Sequence, residues 1–497
     1  MAHGICRQSV LLFIISLATS AVSVMGAAAQ ETDPSELIDA IKNGDGDQVN
    51  TLLSSRVDVN ATEGDGATAL HWAAHRNDLD TATALLNAGA DASASNALGA
   101  TPLWLAATNG SVKLLELLLD ADANPNATLK MGETPLMSAA RSGDHASVSL
   151  LIEYGADVNR AEFERGQTAL MWAAAQQHAD VARLLVSNGA DLNARTKVWH
   201  QLENTAGNTN PIGNFKMTHG GSTPLLFAAR AGDVETAQAL IDGGADPNDV
   251  ASSGNSALVI AAHSGHGALA TYLLQQGADP NAAEAGYTAL HAATLRSQAA
   301  LVETLLEHGA DVNARVEHGT PGRRFSADYS IRYQTIGANA FWLAAQYGEP
   351  EIARILGRYG ADPFVTPGDG TSSLKAAIGL PRGNEDRRNR GLGSTEIDWD
   401  AQERLTLDVT TVVLDLGVDV DKADQTGTTP LHDAVRVGFA SVVELLASRG
   451  ANVNVTNDRG DTPLSLAEST QSVPGTNGLR ATRPEIATLL RTLGAGN

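Results

Sequence analysis

His71 and His75 stand four residues apart in Thr68-Ala69-Leu70-His71-Trp72-Ala73-Ala74-His75. On a helix that spacing puts two imidazoles on one face, as a zinc site requires. No acidic residue or third ligand shares the motif, so both histidines are read as structural. His263 and His266, in His-Ser-Gly-His, flank a helix end and are read as turn packing, while His200 and His219 show no ligand spacing. The phosphate loop G-x-x-x-x-G-K-[ST], the zinc-protease motif H-E-x-x-H and the nucleophile elbow G-x-S-x-G are all missing. Paired acids such as Asp419 and Asp421 sit among turn residues, where aspartate is favoured for local hydrogen bonds. No catalytic, cofactor-binding or metal-binding residue is assigned, and no cofactor is expected.

The elements that would position these side chains follow from a period. Eleven glycines, Gly66, Gly99, Gly132, Gly166, Gly221, Gly254, Gly286, Gly337, Gly370, Gly427 and Gly460, each precede a Thr/Ser/Asn-led step into a small-residue helix. Their intervals are 33, 33, 34, 55, 33, 32, 51, 33, 57 and 33 residues. Such self-similarity marks a stacked solenoid, because one short unit cannot bury its apolar face without neighbours. In Thr101-Pro102-Leu103 the threonine can cap and the proline can open a helix, which Gly110 closes; Val112, Leu115, Leu117, Leu118 and Leu119 then give a second helix with apolar residues at helical spacing. Ala pairs such as Ala73-Ala74, Ala139-Ala140, Ala228-Ala229 and Ala344-Ala345 allow close helix approach, and Leu pairs such as Leu85-Leu86 and Leu273-Leu274 face the second helices inward.

The composition is that of a thin, extended core: 4% aromatic residues in 497. The 34 basic and 57 acidic residues give a net charge of −23, which repels phosphate backbones and anionic membranes. Nucleic acid is not expected as a partner, whereas a basic protein surface is compatible. The single cysteine, Cys6, precedes an apolar run from Val10 to Met25 and the tripeptide Ala27-Ala28-Ala29. This layout predicts a signal peptide over residues 1–29 and a mature chain without cysteine. The expectation is an exported, periplasmic protein; secretion, or tethering by an uncleaved N-terminal segment, is the alternative. No second apolar segment reaches spanning length, so the cleaved chain is not expected to be integral to a membrane, and a monomer is expected.

The starts Thr68-Ala69-Leu70-His71, Thr288-Ala289-Leu290-His291 and Thr429-Pro430-Leu431-His432, with ends such as Gly189-Ala190-Asp191-Leu192-Asn193 and Gly309-Ala310-Asp311-Val312-Asn313, resemble the ankyrin repeat. The resemblance covers nearly all of the mature chain. It implies an all-α solenoid of about 12 helix-turn-helix units, read here as one domain over residues 33–497: an N-terminal cap over 33–65, repeats over 66–459 and a C-terminal capping repeat over 460–497. It also implies a concave protein-binding groove lined by first helices and finger loops.

Three intervals exceed 33, by 22, 18 and 24 residues, and each excess must be extruded from the stack. They define insertions at 195–220, 315–336 and 380–403. The first two extend fingers and bring Trp199, Phe215, Phe325, Tyr329 and Tyr333 together with Arg323 and Arg324, residue types that dominate binding hot spots. The third carries Arg382, Arg387, Arg388 and Arg390 beside Glu396, Asp398 and Asp400, a set suited to pairing within itself. In the ankyrin frame the groove takes His75, Arg76, Arg141, Gln176, Arg230, His263 and Gln346, just after the Ala pair. Trp104 and Trp342 replace the family histidine and are expected to face the groove, whereas Trp72, Trp172 and Phe227, one residue on, are expected in the core. The functional expectation is a non-catalytic scaffold that binds a partner protein of unknown identity through groove and fingers. The alternative is an enzyme or cofactor-handling accessory whose site the insertions assemble.

Overall fold

The computed structural model describes residues 33–204, 214–319, 335–368, 370–379, 398–472 and 480–496. The segment expected as a signal peptide, Arg323, Arg324, Phe325, Tyr329, Tyr333 and the arginines of the third insertion lie outside these residues. Chain contacts divide at the start of the first insertion into a unit ending at Ala194 and a unit beginning at Arg195.

The described residues hold 24 α-helices, arranged as antiparallel pairs. In the first unit the pairs are Pro34–Asn43 with Gly46–Ser54, Ala69–His75 with Leu79–Asn87, Pro102–Asn109 with Val112–Asp120, Pro135–Ser142 with His145–Glu153, and Ala169–Ala175 with Ala179–Ser187. The second unit opens with the strands Trp199–Asn204 and Asn214–His219, then stacks seven pairs, the last being Pro463–Glu468 with Pro484–Thr492. Its pair at the third insertion joins the short Ser373–Ile378 to the long Trp399–Asp415, so the helix takes up the last five residues of the span expected for that insertion.

Each first helix begins at its cap. The Thr101 hydroxyl accepts from the Trp104 amide at 3.2 Å, and Thr134 does the same for Met137 at 3.2 Å. Gly110 ends its helix at φ +67°, where a left-handed residue is needed; Asn77, Gln177 and Ser297 take positive φ at the corresponding turns. The alanine pairs at 73–74, 139–140, 228–229 and 344–345 are 0% exposed, and one member of each leucine pair, Leu85, Leu185, Leu273, Leu305 and Leu446, is equally buried.

The Gly-Ala-Asp-x-Asn endings work as clamps between neighbours. Asn126 donates from Nδ2 to the Gly155 carbonyl at 2.9 Å, and its Oδ1 accepts from the Asp157 amide at 2.7 Å. Asn60, Asn159, Asn248 and Asn281 make the same pair of bonds to the next repeat. Asn313 reaches Gly360 and Asp362 in the same way, at 3.3 and 2.7 Å, so stacking continues past the second insertion. The fingers are joined by single backbone bonds, for example Lys130 N–H to Leu98 C=O at 2.9 Å.

Finger backbones also approach closely. A Cβ added to Gly254, at φ +80°, would lie 2.5 Å from the carbonyl carbon and oxygen of Glu284. Gly254→Ala is therefore expected to destabilise the second unit by about 2 kcal/mol through strain and the forced shift of a neighbouring finger. Urea denaturation checks this: the midpoint should fall with the slope unchanged.

Candidate functional site

In three of the first helices the third helical residue is a histidine that reaches the next repeat. His71 Nδ1 accepts from the Thr68 amide at 3.1 Å, and Nε2 donates to the Ala100 carbonyl at 2.9 Å. A carbonyl only accepts, so Nε2 carries the proton and both ring nitrogens are occupied. His291 and His432 repeat this geometry with Thr288 and Ala314, and with Thr429 and Asp461. Burial pushes all three imidazoles below their usual range, His291 to about 4. These rings tie repeats together.

Trp342 occupies the same place, and the expectation that it faces the groove does not hold. It is 3% exposed, and its indole N–H donates to the Thr371 carbonyl at 2.9 Å, so an indole replaces an imidazole in the same inter-repeat bond. Trp104, also at this position, is half-buried. Lys375 is a further replacement that the sequence reading overlooked; its place three residues after the cap Ser372 was the available signal. Its ammonium, on a side chain 7% exposed, donates to the Thr428 carbonyl at 2.9 Å and meets Asp424 at 3.1 Å and Asp433 at 2.6 Å. Burial acts to raise Asp424, but hydrogen bonds from Thr426 and the Lys375 charge hold it down at about 2. A polar cleft of about 420 Å³ opens beside this network, with Gln346, Arg436 and Arg459 on its walls.

The next position forms the front row, and here too the expectation is corrected. Trp72, Trp172 and Phe227 are half-buried rather than core, because the preceding residue has taken the inward direction. The Trp72 indole donates to Glu63 at 2.7 Å, while the Lys42 ammonium lies 4.4 Å from its ring centroid and pairs with the same carboxylate. Three repeats on, the Arg141 guanidinium is 4.7 Å from the Trp172 ring and 3.3 Å from Glu133, although here the indole N–H makes no hydrogen bond to the carboxylate. Burial raises Glu133, with Arg141 opposing and Glu162 adding to the rise. Each of these two tryptophans thus has a cation at its ring, and each cation is paired with a carboxylate. The partners Lys42, Glu63 and Glu133 were not among the expected site residues, since nothing in the spacing links them to their rings.

The other groove residues are distributed as follows. His75 is half-buried and meets the Trp72 ring edge-on at 5.8 Å. Arg76 is exposed, but its guanidinium donates to the Lys42 carbonyl at 2.9 Å and serves stacking. Gln176 and Arg230 are exposed, and Gln346 is half-buried. His263 packs against Tyr287 at 6.0 Å and is pushed down to about 4 by burial, assisted by Arg296. His266 donates to the Arg230 carbonyl at 3.1 Å, which gives the expected turn packing a definite partner.

The first insertion is a two-stranded antiparallel hairpin, where the sequence reading had expected only an extended finger. Arg195 roots it through bonds to the Gly221 and Val250 carbonyls, both at 2.8 Å. Trp199 is 49% exposed and stacks on its cross-strand partner His219 at 5.4 Å; Val198 and Leu202 are 53% and 66% exposed. Phe215 lies on the second strand, opposite Glu203. A cleft of about 500 Å³ follows that strand, with Lys216, Met217, Asn255, Glu284, Tyr287 and His318 on its walls. The Tyr287 hydroxyl donates to Asn255 at 2.9 Å, and burial pushes it up. Among the described residues, no group of three or more histidine, cysteine or acidic side chains is placed to hold a metal, and no helix is long and apolar enough to cross a membrane.

The family described as ankyrin repeats in three copies matches residues 37–129, 113–196, 204–284 and 225–316, and a second description, ankyrin repeats in many copies, matches 413–467. An ankyrin repeat-containing protein of Schizosaccharomyces pombe is 36% identical over 70 residues, covering 14% of this chain and 34% of that protein. The palmitoyltransferase ZDHHC17 of Danio rerio is 30% identical over 151 residues, covering 28% of this chain and 24% of the enzyme. The chain thus spans about a third or less of the length of these curated relatives. The crystal structure of the human ASB11 ankyrin repeat domain aligns with 26% identity and a TM-score of 0.40, over 49% of this chain and 98% of that one.

Proposed function

Since this chain belongs to the ankyrin-repeat family, we propose that it is a non-catalytic scaffold that binds a partner protein through the front row of its first helices and through the hairpin at 199–219. The observation that carries this reading is the contrast between adjacent positions. At His71, His291, Trp342, Lys375 and His432 the inward position is taken up by inter-repeat bonds, whereas at the next position Trp72 and Trp172 stay half-buried beside Lys42 and Arg141. Aromatic rings with a cation and a carboxylate at hand bury area with few rotamers to freeze, which is how hot spots are built. The match to a quarter of a palmitoyltransferase brings no acyl-transfer chemistry to this chain.

Export is part of the proposal. The Arg7 start, the apolar run to Met25 and Ala27-Ala28-Ala29 support signal cleavage after Ala29 and, in a bacterial host, a periplasmic location. The relatives named above are eukaryotic and match part of the chain, so this proposal stands on the N-terminal sequence alone. Intact mass of the exported protein tests it: a chain beginning at Gln30 is expected, and a retained Met1 would make it a tethered protein.

Affinity capture from an envelope extract tests the binding reading. The wild type is expected to retain a partner that a Trp72→Ala/Trp172→Ala variant with residues 198–219 replaced by a short Gly-Ser link loses. Recovery of the same partner from both would contradict it.

A further inference from the structure

We propose that the outer edge of the second hairpin strand, Asn214–His219, takes an extended segment of the partner protein as a third strand, bonded main chain to main chain. The proposal rests on the scaffold reading and gives it a mode of binding. In a two-stranded hairpin each strand pairs along one edge and leaves the other with unpaired N–H and C=O groups. The first strand, Trp199–Asn204, pairs with the inner edge of Asn214–His219.

Bonds at the root of the hairpin tell which groups face outward. Gly221 N–H donates to the Thr196 carbonyl at 3.1 Å, on the side of the first strand, whereas the Gly220 carbonyl accepts from Ser252 N–H of the next finger at 3.1 Å. Backbone groups alternate in direction along a strand, so Thr218 and Lys216 share the outward side with Gly220. The cross-strand pair His200 and Thr218 agrees, because His200 Nδ1 lies 3.1 Å from the Thr218 hydroxyl. Side chains come that close in the pairs that exchange no backbone bonds. Among the described residues, no backbone group bonds to this edge beyond Gly220.

The cleft of about 500 Å³ lies along this edge. Its lining includes the consecutive residues Lys216, Met217 and Thr218 and no residue of the first strand. Consecutive side chains point to opposite faces of a hairpin, so a cleft that touches all three lies at the edge of the strand and not on a face. The next three fingers complete it, with small residues such as Ser252, Ala285 and Gly319 that leave room for branched side chains. The edge selects an extended ligand, since a helix keeps its own N–H and C=O groups bonded and has none to offer. Lys216 and Glu284 face the cleft with opposite charges, so neither a basic nor an acidic segment is favoured. The segment that fits is extended, uncharged and rich in valine and threonine.

The test uses the purified full chain and a labelled peptide of about six alternating valine and threonine residues with a Gly-Ser tail. Its control is the same peptide N-methylated at every amide, which keeps the side chains and removes the donors. Fluorescence anisotropy is expected to show the first binding at least about tenfold tighter than the control, with little change as salt rises. Thr218→Pro removes one outward N–H at a place where an edge strand tolerates proline, and should lose about tenfold; Thr218→Val keeps that N–H and should bind as the wild type does. In hydrogen exchange the peptide should slow the Lys216 and Thr218 amides and leave Met217, which faces the first strand, unchanged. Equal binding of the two peptides, or slow exchange at Lys216 and Thr218 before any peptide is added, would overturn the edge. So would a dimer of the free chain that Thr218→Pro dissociates, because the third strand would then come from a second copy. The scaffold reading fails separately, if the front-row and hairpin variant still captures the wild-type partner.

Discussion

Lys375→Met is expected to cost the second unit about 3 kcal/mol, because a buried ion network loses its central cation. Lys375 holds the Thr428 carbonyl and two carboxylates, and the Asp433 side chain is 6% exposed. Asp433 keeps one contact, Arg436 at 2.6 Å, so the expected loss lies at the lower end for a broken buried pair. Asp424 would lose one of the influences that hold it near 2. Hydrogen exchange of the helix Pro430–Val437 reads the effect locally: its opening free energy should fall by about that amount, and Lys375→Met/Asp433→Ala should regain part of it. A single-variant cost below about 1 kcal/mol would show that Lys375 is dispensable to the stack.

Acid should loosen the same unit in a window set by imidazole. His291 titrates near 6.5 when unfolded and at about 4 when folded, so the unfolded chain binds the extra proton first. Its contribution is complete above pH 6.5 and is lost as pH falls toward 4. The loss reaches at most about 3 kcal/mol for this one ring. His263, also held at about 4, adds in the same direction. Stability measured from pH 7.5 to 4 should therefore decline for the wild type and flatten in His291→Gln. A His291→Gln profile parallel to the wild type would remove this ring from the account.

Much of the fold is readable because stacking repeats its chemistry. A threonine cap, a proline at the first turn, an alanine pair and a leucine pair recur at one period, and each is bound by local geometry that the period exposes. The clamp by Asn126 and its equivalents is legible as a recurring asparagine, although its partner lies 29 residues ahead. Direction is harder. Trp342 and Trp72 are both tryptophans near a cap, and the repeat frame separates them by one position, yet it is the third residue from the cap that turns inward and the fourth that stays half-buried, the reverse of the expected assignment. Lys42 on Trp72, and Glu133 with Arg141 on Trp172, are pairings between repeats that no motif spacing records. The hairpin shows a different limit. Its strands Trp199–Asn204 and Asn214–His219 interrupt a helical period, so the interval revealed an excess of residues without its secondary structure.

Site-specific photo-crosslinking reports which surfaces touch the partner. A photoreactive residue is placed singly at Trp172 on the front row, at Trp199 on the hairpin, and at Arg183 on the exposed face of the second helix Ala179–Ser187. One partner protein is expected to be crosslinked from Trp172 and from Trp199 and not from Arg183. Crosslinking from Arg183 as efficient as from the other two, or from none of the three, would contradict it.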